Sequence, residues 1–190
     1  MVISIRDLAN RYKFWKNADR IGADIPTTHW KLYFNSTMRN LCLKKFKFFG
    51  ENSEFRPYAY AVTCSKISIG NNVTIRPGTF LLADPLGDGG EIIIEDKVLV
   101  GSSVHFYTNN HEFSDISKPI FDQGHQKSSK SKSIILRKGC WIGAGAIILP
   151  GVEIGENSII GAGTIVTKSV PINSLVVGNP GRVIRNLSTT

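Results

Sequence analysis

Imidazoles are the side chains of this 190-residue chain best suited to moving a proton near neutral pH, and it has four: His29, His105, His111 and His125. His111 stands in TNNHEF, at the head of a long polar stretch, with Asn109 and Asn110 beside it to orient it or a ligand. His125 lies in the basic run GHQKSSKSK, where solvation is the plainer role. His105 ends a repeat unit, a place from which a side chain points outward, and His29 reads as structural beside a predicted helix. No serine elbow and no cysteine–histidine signature accompany them, which fits proton transfer without an enzyme nucleophile. Cys42, Cys64 and Cys140 are too few and too scattered for a zinc site or a disulfide framework, which points to a reduced, cytoplasmic, metal-free protein.

The elements that must position these groups follow from a period of six. Aliphatics recur at Leu136, Ile142, Ile148, Ile154, Ile160 and Val166, and four places after each comes a small or β-branched residue: Cys140, Ala146, Val152, Ser158, Thr164 and Val170. A fixed short period of this kind marks an all-β solenoid, a parallel β-helix in which three hexads close one triangular coil. The aliphatic points inward and stacks on its equivalent, while Gly and Asn at the corners permit left-handed φ. Earlier hexads fit the same frame: IGNNVT (69–74), IRPGTF (75–80), IEDKVL (94–99) and VGSSVH (100–105). Two excursions interrupt them, a Gly/Asp/Pro-rich one over 82–91 and a long polar loop over 107–133 that holds His111 and His125. Insertions in a solenoid leave on one face, often the binding face.

The chain divides into a basic, mostly helical segment (1–50), the solenoid with its protruding loop (51–186) and a short tail (187–190). Ser4 and Asp7 resemble a capping box ahead of a helix over 4–16, with Ile5, Leu8, Tyr12 and Trp15 along one face. A second helix is predicted from Thr27 or Thr28, with Trp30, Phe34, Met38 and Leu41 on one face. Both aromatic stripes are expected to cap the first coils. The first 50 residues hold ten Lys/Arg against three Asp/Glu, so most of the +8 net charge sits there. That asymmetry suits a solvated basic face or an anionic partner, polymer or membrane surface; no motif supports nucleic acid. With 42% hydrophobic and 20% charged residues the chain is not a disordered one. No stretch approaches the roughly 18 apolar residues of a membrane span, and the N-terminus lacks a signal-peptide layout.

Taken together, WIGAGAIILPGVEIGENSIIGAGTIVTKSVP (141–171) followed by VVGNPGRVIR (176–185) resembles the signature of the left-handed β-helix acetyltransferases. The resemblance covers about residues 60–186, and NNHEFSD…KPIFDQG (109–124) is most similar to the sugar and surface-polysaccharide O-acetyltransferases. It implies a left-handed coil, acetyl-CoA as acyl donor, a homotrimer with sites between subunits, and His111 as the base that deprotonates an acceptor hydroxyl. It further implies that the Ala144 backbone N–H faces the thioester carbonyl and that Ala162 contacts the pantetheine arm. Thr167 and Lys168 then stand near the nucleotide, Arg182 and Arg185 meet the phosphates, and Trp141 packs against the arm or a neighbouring subunit.

The acceptor side departs from the galactoside type, which carries an asparagine where this chain has Arg76. With Lys127, Lys130 and Lys132 in the loop, Arg76 suggests an anionic saccharide, and Asp84, Asp88 and Asn109 are candidate hydroxyl binders. The expected activity is O-acetylation of a bacterial surface saccharide or its precursor. The alternatives are N-acetylation of a nucleotide-linked amino sugar and a non-catalytic β-helix used for assembly or binding.

Overall fold

The computed structural model describes residues 4–22, 25–86, 89–126 and 132–187. Lys127, Lys130 and Asp88, expected at the acceptor site, lie outside these residues. Each hexad of the regular run supplies a two- or three-residue strand and a corner, and successive hexads fall on three different parallel sheets. Sheet one contains Tyr60–Val62, Phe80–Leu82, His105–Tyr107, Ile147–Ile148 and Ile165–Val166. Sheet two runs through Phe48–Phe49, Ile67–Ile69, Ile92–Ile94, Ile134–Leu136 and Glu153–Ile154. Sheet three takes Glu54–Phe55, Thr74–Ile75, Leu99–Val100, Trp141–Ile142, Ile159–Ile160 and Ser174–Val177.

All twelve residues of the six-step pattern are buried, the aliphatics and the small positions alike. Stacking therefore removes an aliphatic side chain from water at nearly every step, about 1.5–3 kcal/mol for each fully buried Ile, Leu or Val. The coil can turn so sharply because its corners use left-handed backbone, at Asn72 (φ 57) and Asn157 (φ 55) on one edge and Gly145 (φ 71) and Gly163 (φ 68) on another. Period-two alternation then decides what each face shows to solvent. On sheet one the outward register is Tyr60, Phe80, His105, Ile147 and Ile165. On sheet three it is Thr74, Leu99, Trp141, Ile159 and Leu175. Sheet two shows Phe48, Ser68, Ile93, Ile135 and Glu153. Its edge carries Arg137 between Glu95 (2.8 Å) and Glu153 (2.7 Å), and these carboxylates raise the guanidinium pKa still further.

The N-terminal segment differs from its expected packing. Helix α1 (Ile5–Asn17) is capped by Ser4, whose hydroxyl accepts from the Asp7 amide, but none of its residues is buried. Ile5, Leu8 and Tyr12 are exposed rather than laid on the solenoid. The second predicted helix is two, α2 (Pro26–Leu32) and α3 (Asn35–Lys45), because Phe34 is extended and serves as the N-cap of α3. The break turns Trp30 and Phe34 outward while Leu32, Met38, Leu41, Cys42 and Phe46 pack into the core. Arg20–Ile21 adds an antiparallel strand beside Tyr60–Val62. At the other end Arg182–Asn186 folds back antiparallel on Ser174–Val177.

Candidate active site

The 107–133 loop leaves sheet one at Tyr107, and its neck is closed by a short antiparallel ladder. The Glu112 amide donates to Gly124 O (2.9 Å) and the Gln126 amide to Asn110 O (3.0 Å). Between those bonds His111 and His125 form a bridge, with their rings stacked at 4.4 Å and 25°. His111 Nδ1 lies 3.3 Å from Gly124 O. A carbonyl only accepts, so this contact assigns the proton to Nδ1 and leaves the Nε2 lone pair available.

The 82–91 excursion delivers a carboxylate to the same place. Asp84 is 1% exposed. Its Oδ1 accepts from the Leu86 amide (2.9 Å) and from Asn109 Nδ2 (3.1 Å), while its buried Oδ2 has no partner among the described residues. The excursion is strapped down by Lys66, whose ammonium donates to the carbonyls of Asp84 (2.9 Å) and Gly89 (3.1 Å). A cavity of about 420 Å³ opens between loop and excursion, walled by Val62, Leu82, Ala83, Pro85 and Tyr107, with Asp84, Asn109, Asn110, His111 and His125 as its polar groups. An unpartnered carboxylate oxygen is costly to bury unless something donates to it, so this cavity fits a ligand bearing hydroxyl or N–H groups. Larger hollows of about 520 and 640 Å³ surround Arg39 and the Glu51–Asn52 corner but hold no histidine, so volume does not mark the chemistry.

The expected donor amides lie elsewhere, whereas Thr167 and Lys168 follow a sheet-one strand and so stand at the same prism edge as the cavity. Ala144 and Ala162 occupy one corner column with Ser102, linked by Gly145 N to Ser102 O and Gly163 N to Ala144 O (2.9 Å each). Among the described residues the amides of Ala144 and Ala162 donate to no backbone or side-chain acceptor. The corner between sheets two and three is different, because side chains satisfy it: Asn71 Oδ1 takes the Glu51 amide, Asp96 Oδ1 the Asn71 amide and Glu95 Oε2 the Lys138 amide. Hydrogen bonding to Asn71 also holds the Asp96 carboxyl below its ordinary pKa. The Ala144 column thus presents free N–H donors one coil apart, roughly 4.8 Å, the spacing of paired strands. No Cβ fits beneath them, since one on Gly143 would lie 2.5 Å from the Ala162 nitrogen. Trp141 is half exposed on sheet three, Thr167 and Lys168 are exposed beyond Val166, and Arg182 and Arg185 are exposed on the terminal hairpin.

The chain therefore brings His111, Asn109 and Asp84 together but holds them apart from Ala144. The cavity lies where sheet-one strands end and the amide column where they begin, a prism side of about six residues, roughly 20 Å at full extension. Arg76 does not line the cavity. It is exposed in the corner column of Gly101 and Gly143, donating its amide to Val100 O (3.3 Å) as they do one and two coils on. Lys132 is exposed, its amide bound to Thr108 O. Of the other histidines, His105 stacks on Phe80 (4.8 Å) and bonds Tyr107 Oη (2.9 Å), while His29 packs on Tyr58 and Tyr60 with burial lowering its pKa. Sequence reasoning underweighted His125, for which a run of neighbouring lysines suggested solvent. The sequence signal that could have raised it is its place opposite His111, near the far end of the same loop.

The bacterial transferase hexapeptide family, described as six repeats, matches residues 133–168. The galactoside O-acetyltransferase of Lactococcus lactis subsp. lactis is 34% identical over 151 residues, 78% of this chain and 67% of that one. A hexapeptide-repeat acetyltransferase of Vibrio cholerae O1 biovar eltor, complexed with acetyl coenzyme A, matches with TM-score 0.69 and 26% identity over 88% of this chain and 91% of that one. A galactoside acetyltransferase in complex with coenzyme A matches with TM-score 0.70 and 27% identity over 99% and 86%. Repeat, coil and relatives agree: the chain belongs to the bacterial hexapeptide-repeat acetyltransferases and shares their left-handed parallel β-helix.

Proposed function

We propose that this enzyme moves an acetyl group from acetyl-CoA to a hydroxyl of a bacterial surface saccharide or its precursor. The observation that carries the reading is one cavity holding an imidazole with a free Nε2 beside a buried carboxylate oxygen that has no donor among the described residues. A sugar offers adjacent hydroxyls, one to donate to Asp84 Oδ2 and one to be deprotonated by His111. As His111 Nε2 takes the proton, the acceptor oxygen attacks the thioester carbonyl. The new C–O bond forms, the C–S bond breaks, and the imidazolium returns its proton to the departing thiolate. Asn109, committed to Asp84 through its Nδ2, braces that carboxylate.

The Ala144 N–H receives the developing oxyanion, because a fixed amide needs no reorganisation as charge builds. Ala162 N–H binds the pantetheine arm alongside Trp141, and Thr167, Lys168, Arg182 and Arg185 hold the nucleotide and phosphates. Cavity and amide column lie at opposite edges of sheet one, so the working site joins the His111 of one subunit to the Ala144 of the next in a homotrimer. The apolar outward rows of sheets one and three supply the subunit faces. Arg76, one residue before the donor column, then approaches the acceptor from the adjacent subunit and favours an anionic saccharide. Residues 51–186 carry the catalysis, in the cytoplasm. Helix α1 has apolar residues exposed and Arg6, Arg11, Lys13 and Lys16 around them, which suits contact with an anionic polymer or the inner face of the membrane. Among the described residues no helix is long and apolar enough to cross a membrane.

Coenzyme A release from acetyl-CoA, followed with a thiol reagent over a panel of saccharides, tests the reading. His111→Ala is expected to lower kcat by at least about 100-fold, the usual worth of a positioned base. A His111→Ala enzyme with near-normal kcat would overturn it.

A further inference from the structure

The second imidazole of the loop neck has no part in the reaction as written, yet the backbone places it against the first. Glu112 N to Gly124 O and Gln126 N to Asn110 O flank the His111–His125 bridge, so the two residues form the non-hydrogen-bonded type of antiparallel pair. In that type the two strands approach most closely and opposed side chains touch. The rings are stacked at 4.4 Å and 25°, and both line the cavity. Among the described residues the His111 ring has one other hydrogen-bonding contact, the long bond from Nδ1 to Gly124 O (3.3 Å). A single long bond on an exposed side chain leaves the ring free to turn about χ2, whereas a stacked neighbour covers one face and blocks that rotation.

We infer that His125 is a positioning residue for His111, fixing the base through ring stacking rather than through a bond to substrate. This rests on His111 being the base. The stack needs a flat ring and no nitrogen, so phenylalanine should serve at position 125 and alanine should not. Its effect belongs to the chemical step. A ring that wanders spends less time in line with the acceptor hydroxyl, lowering kcat while leaving both substrates bound as before.

The test compares wild type, His125→Ala, His125→Phe and His111→Ala, with kcat and the acceptor KM measured and far-UV circular dichroism confirming the coil. His125→Ala is expected to lower kcat about five- to tenfold with KM within about twofold, and His125→Phe to recover most of the loss. The inference is overturned by an unchanged kcat in His125→Ala, by a loss that appears in KM instead, which would make His125 an acceptor contact, or by a His125→Phe enzyme as slow as the alanine variant, which would mean a ring nitrogen is needed. If His111→Ala keeps full kcat, the base assignment falls first, and this inference falls with it. An inactive His111→Ala beside a normal His125→Ala would sink the positioning role alone.

Discussion

Replacing Asp84 by asparagine should move activity and stability in opposite directions. The substitution keeps the shape of the side chain and one oxygen to accept from the Leu86 amide and Asn109, but turns the unpartnered Oδ2 into a donor. A hydrogen bond from an acceptor hydroxyl to an ionised carboxylate contributes about 1.5–3 kcal/mol, so its loss should lower kcat/KM for the saccharide roughly 10- to 150-fold. The free enzyme gains where the complex loses. A carboxylate that is 1% exposed, with one oxygen unpaired, is costly to desolvate, and a neutral amide is less so. The melting temperature of the Asp84→Asn enzyme should therefore be equal to or above that of wild type. The assays are steady-state kinetics at varied acceptor with saturating acetyl-CoA, and calorimetry without ligand. An enzyme with unchanged kcat/KM and a lower melting temperature would refute the reasoning, because it would make Asp84 a structural anchor for the excursion.

Two further outcomes follow from packing and burial. A Cβ on Gly143 would meet backbone at the Ala162 nitrogen (2.5 Å), whereas one on Gly163 would meet nothing within 4 Å and carries only the cost of its positive φ. Gly143→Ala should lose about 1–3 kcal/mol and raise the KM for acetyl-CoA, and Gly163→Ala about 1 kcal/mol with KM unchanged; equal melting shifts would refute this. Burial pushes the Cys140 and Cys64 thiols from the ordinary 9.0 up to about 12. The folded chain then keeps those protons while the unfolded chain releases them, so stability present below pH 9 should be lost as pH rises towards about 12. A Cys64→Ala/Cys140→Ala protein should show a shallower fall in melting temperature between pH 8 and 10.5, and an identical fall would contradict the assignment.

The two proposed half-sites were legible to different depths. WIGAGA and GAGTIVTK fix the stacking of Ala144 on Ala162 almost outright, because in a six-residue period a position in the sequence is a position on the prism. Ala144 and Ala162 had to stack, and Gly143 had to be small, once the frame was known. Loops have no such frame. Asp84 was one of several acidic residues in an excursion, and nothing in LADPLGDGGE says that it is buried or that Asn109, far along the chain, donates to it. The helical stripe Trp30–Phe34–Met38–Leu41 misled for a related reason: regular spacing assumes an unbroken helix, and the extended backbone at Phe34 ends that assumption.

The amino-acid order by itself set the hexad frame, the inward aliphatics and the left-handed corners. Those properties are local or periodic, so sterics and side-chain chemistry within a few residues determine them. Tertiary folding alone decided that His111 and His125 stack, that Asp84 keeps an oxygen without a partner among the described residues, and that His111 and Ala144 stand at opposite edges of one sheet. Each of these depends on where two insertions of no fixed period come to rest on the coil, and that is set by long-range packing and hydrogen bonding between segments the sequence does not align.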